Sequence, residues 1–208
     1  PTRRSSDLFN NMILEHKCCI FVANLLLIMK IPDKKENIAE YLLFMWQIED
    51  LLRAYNLDID NIQQSIINSV YQTEEDRKNA RDWYEGLIIM MKSEGVQEKG
   101  HLQINKNIII DLTDVHLRLL KNPKESEYIG IYYNTLPYIV ELRSKSTENE
   151  IAELETCFTA LYGYLLLKIQ KKDISKETQA AVSQITSLLR LLSKKYKEID
   201  QEEYFDER

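Results

Sequence analysis

Glycine and proline are scarce in this sequence, five and four among 208 residues. No P-loop and no Gly-rich dinucleotide fingerprint can be found, and the zinc-protease HExxH pattern is also missing. With so few chain breakers and abundant Leu, Ile, Lys and Glu, the composition fits an all-helical protein. Basic charge is in deficit too, 27 Lys and Arg against 33 Asp and Glu. That balance speaks against a nucleic-acid groove, because phosphate binding needs a basic face. The three cysteines, at positions 18, 19 and 157, have neither CxxC spacing nor a pairing logic, which suits a reduced cytoplasm. The apolar run from Cys18 to Met29 is 12 residues, too short to span a bilayer.

What the chain does have is amphipathic helix, and the central stretch is Asn37–Tyr55. On a wheel of 100° per residue, Ile38, Tyr41, Leu42, Phe44, Met45, Trp46, Ile48, Leu51, Leu52 and Tyr55 cover over half the circumference. Glu40, Gln47 and Asp50 mark a narrow wet side. A helix so apolar is expected at the centre, touched by partners on several sides. Glu49 is the exception: it lies inside the apolar arc beside Ile38, Leu42 and Leu52, with Arg53 one turn later. A buried carboxylate needs a partner, so the sequence predicts an i,i+4 pair with Arg53 plus a bond from a neighbouring helix.

Seven helical segments can be laid out in order. The first helix is expected over Lys34–Asn56, after Pro32. A second, shorter one starts from a cap at Asp58 or Asp60, with Ile59, Ile62, Ile66 and Val70 on one stripe. Thr73 followed by Glu74, Glu75 and Asp76 is a strong start for a third, running to about Glu94 and stopped by Gly95. Its Ala80, Trp83, Tyr84, Leu87, Met90 and Met91 share the core face, and Gly86 falls opposite, where it weakens the helix. GVQEKGHLQINKN is a loop in which His101, Gln103 and Asn105 satisfy helix ends or face a ligand. A fourth helix begins at a cap on Asn105 or Asn107 and ends at Asn122 before Pro123, with His116 on its apolar side. The fifth spans about Glu125–Lys145, with Tyr128, Tyr132, Leu136 and Ile139 inward and Pro137 outward. Thr147 and Glu150 form a capping box for the sixth, which runs to about Lys171 with Glu155 on its buried face. Ser175 opens the last. The expected fold is a single-domain, all-α bundle of six to seven amphipathic helices over residues 29–200, followed by an acidic tail at 201–208.

Residues 1–28 are read as a non-native extension. PTRRSSDL resembles the translated end of a sequencing adapter, and FNNMILEHKCCIFVANLLLI reads as upstream sequence before a start at Met29. The competing reading is a signal segment from Met12, whose leader Lys17 is offset by Glu15 and which lacks a small-x-small cleavage site. Beyond residue 28 only Cys157 remains, so a disulfide within one chain is excluded.

Glu49, His116 and Glu155 are polar residues on apolar faces, and three such groups meeting in a bundle would be raw material for a metal site. The paired Glu-x-x-His motifs of di-iron bundles are absent from Lys34 onward. The candidate polar cluster is therefore Glu49, Arg53, His101, Gln103, Asn105, His116 and Glu155, with no catalytic residue, metal or cofactor assigned. Cys157 reads as an inert core thiol.

The blocks KENIAEYLLFMWQIEDLLRAY, WYEGLIIMMKSEGVQEKGHLQINKN, ELETCFTALYGYLLL and ISKETQAAVSQI resemble successive stretches of an uncharacterised bacterial family, a domain of unknown function. The resemblance covers about Met29 to Tyr196, and the first two blocks are the specific ones. It implies a bacterial cytosolic helical domain and carries no activity to transfer. The sequence thus points to a non-enzymatic, cytoplasmic regulatory or scaffold protein that binds a protein partner or itself, without nucleic acid or membrane. The alternative is a metal- or small-ligand-binding bundle enzyme built on Glu49, His116 and Glu155.

Overall fold

The computed structural model describes residues 31–145 and 152–206, with side chains described as far as residue 199. The proposed extension, the Thr147–Glu150 capping box and the acidic tail's side chains fall outside those bounds. Among the described residues seven helices succeed one another: α1 (Ile38–Ala54), a composite α2, α3 (Glu74–Ser93), α4 (Gln103–Lys121), α5 (Ser126–Lys145), α6 (Glu153–Ile169) and α7 (Lys176–Asp206). The composite α2 consists of an α-helical turn at Ile59–Ile62, a π-helical turn at Gln63–Ile67 and a closing turn at Asn68–Val70. Among the described residues there is no strand, and no helix is long and apolar enough to cross a membrane.

Side-chain caps set several starts. Asn37 Oδ1 accepts from the Glu40 amide at 3.2 Å, Asp58 caps α2 through the amides of Asp60 and Asn61, and Thr73 Oγ1 accepts from the Asp76 amide at 3.0 Å. The first helix therefore begins at Ile38, four residues later than its composition suggests. Asn56 (φ 53°) and Leu57 (φ 54°) turn the chain out of α1 in the left-handed region. The Leu57 amide reaches back to Leu52 O at 2.9 Å to close the helix end. A left-handed leucine costs about 1–2 kcal/mol, offset here by packing of Leu57 against the core under α1.

Helix α1 is the shared wall of two apolar cores. Its Ile38, Leu42 and Trp46 pack with residues of α4, α5, α6 and α7, among them Leu112, Tyr128, Phe158 and Leu188. Its Phe44, Met45, Ile48, Leu51 and Leu52 pack with Ile62, Ile66, Tyr84, Leu87 and Met91 of α2 and α3. The wide apolar arc read from the sequence is the sum of these two faces. Gln47, expected on the wet side, is buried, with its amide Nε2 donating to Leu43 O at 3.1 Å. Pro137 lies on the exposed side of α5, as its spacing predicts.

Candidate functional site

Glu49 projects between the two faces of α1, where the two cores meet, and is 1% exposed. The segment that meets it there is the connection from α3 to α4. Gly95 (φ 71°) ends α3, and Gly100 (φ 86°) turns the chain back toward α1. Both φ values are ones that a side chain disfavours, so glycine is what allows this path. Three donors then converge on the carboxylate. Asn105 Nδ2 (2.7 Å) and the Leu102 amide (2.9 Å) reach Oε1, and His101 Nδ1 lies 2.6 Å from Oε2.

The predicted Glu49–Arg53 pair is not formed. Arg53 Nη1 bonds Asp50 at 2.8 Å instead, while Nη2 donates to Val96 O at 3.1 Å and to Gly100 O. The loop and the first turn of α4 supply the donors to Glu49, and Arg53 is left to hold the loop's own carbonyls. Asp50 is completed from α6 by the Tyr162 hydroxyl at 2.7 Å. The His101 ring lies flat on Trp46, with centroids 4.1 Å apart and planes 13° off parallel. Asn105 Oδ1 and the Trp46 indole nitrogen are buried beside this network without a partner among the described residues.

The arrangement also corrects the start of α4. Neither Asn105 nor Asn107 caps it; the cap position is Leu102, which has no side-chain acceptor. Carboxylates from elsewhere take that place, Glu49 on the Leu102 amide and Glu94 Oε2 on the Gln103 amide at 2.7 Å. Negative charge there also complements the positive end of the helix dipole.

His116 belongs to a different network. It is buried on α4, with Nδ1 2.6 Å from the Tyr128 hydroxyl of α5 and its ring edge-on to Tyr132. The Tyr132 hydroxyl donates to Glu153 Oε2 on α6 at 3.0 Å. Burial pushes the His116 pKa down, opposed by Glu153, and pushes the Tyr128 hydroxyl up; Tyr132 is raised to about 12. Cys157 is a buried free thiol whose pKa is pushed up to about 12, mainly by desolvation, so it is a poor nucleophile.

Of the residues singled out in the sequence, Glu49, His101 and Asn105 come together, with Arg53 gripping the same loop. Gln103 is exposed and bonds Asn107 at 2.8 Å, and Glu155 is half-buried on α6. Among the described residues no three of His, Cys, Asp and Glu are placed to hold a metal ion, so the trio of Glu49, His116 and Glu155 does not form the metal site weighed for it. Sequence reasoning missed Trp46, Tyr162, Tyr128, Tyr132 and Glu153. The first four carry no pattern distinguishing them from core aromatics. Asp50 belongs to the wet side by angle alone, although its i,i+3 spacing to Arg53 is visible in the sequence.

A separate cleft of about 880 Å³ opens between α5, α6 and α7. Leu142, Ala160, Gly163, Leu167, Ala181 and Val182 line it, with Glu141, Lys145 and Glu177 also at its walls.

No curated protein and no solved structure matches the chain significantly. The model of one family, a domain of unknown function (DUF4924), matches residues 28–203, and the chain belongs to that family.

Proposed function

We propose that the chain is a non-enzymatic binding domain that receives an amphipathic helix of a protein partner in the cleft between α5, α6 and α7. The cleft carries this reading. Small side chains at Ala160, Gly163, Ala180 and Ala181 give a helix room to approach, and Leu142, Leu167 and Val182 offer it apolar contacts. Lys145 is tied to Glu141 at 2.5 Å, which leaves Glu177 to make the lining net acidic. Such charge favours a partner whose apolar face is bordered by Lys or Arg. A non-catalytic role fits the polar interior, since Glu49 and His116 are both engaged by neighbouring side chains. A cytoplasmic setting is part of the reading and suits the free Cys157 thiol.

The test is fluorescence anisotropy with a labelled, designed amphipathic helix bearing Leu and Ala on one face and Lys along its borders. Saturable binding is expected, weakened at least about tenfold by Ala181→Arg and by exchanging the peptide's Lys for Glu. Equal binding of both peptides to both proteins, or no binding, would remove the proposal. Dimerisation abolished by Ala181→Arg would transfer the cleft to a second copy of this chain.

A further inference from the structure

A second feature stands apart from the cleft. His116 is a titratable side chain buried at the junction of three helices, and among the described residues none of its contacts is an ion pair. We infer that it is an acid-sensitive lock between α4 and α5: neutral His116 holds the two helices through Tyr128, and protonation releases them.

The argument starts from the phenol. Tyr128 is 0% exposed, and its hydroxyl has His116 Nδ1 as its partner at 2.6 Å. Burial keeps that hydroxyl protonated, and the lock requires the tautomer in which its hydrogen is directed at Nδ1 and the imidazole carries its own hydrogen on Nε2. When Nδ1 takes up a proton from solvent it becomes a donor. The same oxygen must now accept, and the phenolic hydrogen is left to neighbours that include the weakly accepting Cys157 thiol and Tyr132, whose own hydroxyl is bonded to Glu153. A good hydrogen bond is thus lost at the moment a charge is placed in the core.

The surroundings do not compensate. On α5 the facing groups are Tyr128 and Tyr132, both edge-on to the imidazole. On α6 they are Glu153 and the Cys157 thiol. Glu153 is the anion whose field reaches His116, yet its Oε2 is already taken by Tyr132 at 3.0 Å. The buried residues that α1 and α7 give this core are apolar, Leu42, Leu188 and Leu192 among them, and the phenols Tyr41 and Tyr196 pack against it part-buried. Lys195 of α7 is paired with Glu125, 3.0 Å away, just ahead of α5. On α4 itself the side chains one turn from His116 are Leu112, Thr113, Leu119 and Leu120, none of them titratable. Because α5 and α6 also wall the cleft, any effect on partner binding rests on the proposal above; the titration itself does not.

The sign is fixed by the direction of the His116 shift. Above the ordinary histidine pKa both folded and unfolded chains are neutral at this position, and nothing is lost. As pH falls below it the unfolded chain takes up the proton first, and stability drops until the lowered folded-state pKa is reached. Thermal unfolding followed at pH 7.5 and pH 5 in wild type and His116→Phe tests this without any partner. The wild-type midpoint is expected to fall by about 3 °C more than that of the variant. A parallel fall in both proteins would overturn the lock. Should His116→Phe fail to fold, the imidazole carbon resonances of His116 in the wild type decide. Neutral signals persisting below pH 6 in the folded chain support the lock; an ordinary midpoint near about 6.5 overturns it.

Discussion

Glu49 and Leu102, 53 residues apart in the chain, are joined by a 2.9 Å hydrogen bond in which a carboxylate of one helix receives the amide of the residue at the cap position of another. The same oxygen also accepts from Asn105, one turn into α4, at 2.7 Å. The acid in the middle of α1 is therefore the cap of α4, while Arg53, one turn on, holds the loop between Gly95 and Gly100.

Replacing Glu49 by Gln keeps the shape and removes the charge that three donors converge on. One of the new amide's positions becomes a donor facing another donor. The expected loss is about 2–4 kcal/mol, read as a lower urea midpoint with an unchanged slope. A change under about 0.5 kcal/mol would show that the network contributes no net stability.

Asn105→Asp places a second carboxylate against the first inside the protein. The destabilisation should be largest near neutral pH and shrink as the pH is lowered through the carboxylate range, because a shared proton restores one donor. Paired urea titrations at pH 7 and pH 4.5, each with wild type alongside, measure the difference. A pH-independent loss would mean that the two side chains do not meet.

Two glycines should respond in opposite directions. At Gly100 an added Cβ would sit 3.6 Å from Val96 Cγ1, which is ordinary contact, but φ is +86°. Gly100→Ala should cost about 1 kcal/mol or more for backbone reasons alone. At Gly86, inside α3, an added Cβ meets nothing within 4 Å, and Gly86→Ala should stabilise by about 0.5–1 kcal/mol. Differential scanning calorimetry of both variants gives the two signs.

Cys157 should resist alkylation in the folded protein at pH 8, because its thiol pKa is about 12 and the sulfur is buried. Peptide mapping after iodoacetamide treatment, with and without denaturant, reports this residue separately from Cys18 and Cys19. Rapid labelling of the native chain at Cys157 would show that α6 opens readily.

The helical architecture could be read from spacing because each buried stripe is local: Ile62 and Ile66, or Leu188 and Leu192, lie on one face whatever packs against it. Capping at Asp58 and Thr73 was legible for the same reason, since donor and acceptor are two or three residues apart. Glu49 announced itself as an anomaly inside an apolar arc, but its partners did not. The nearest cation in sequence was Arg53, whereas the actual donors come from a loop about fifty residues away. The start of α4 was misplaced by the same blindness. Asn105 looks like a cap residue, and nothing nearby in sequence tells that Glu49 already serves that purpose and draws Asn105 inward. Periodicity places a side chain on a face; which face it meets is decided by tertiary geometry.

The wiring of Glu49 sets an order on assembly. Until residues 101–105 arrive, α1 carries a bare anion at the seam of two greasy surfaces, and neither surface can close over it without leaving that charge stranded. The half of the molecule built on α1, α2 and α3 is thus finished from beyond α3, where Val96 and Leu102 enter its core and residues 101–105 reach Glu49.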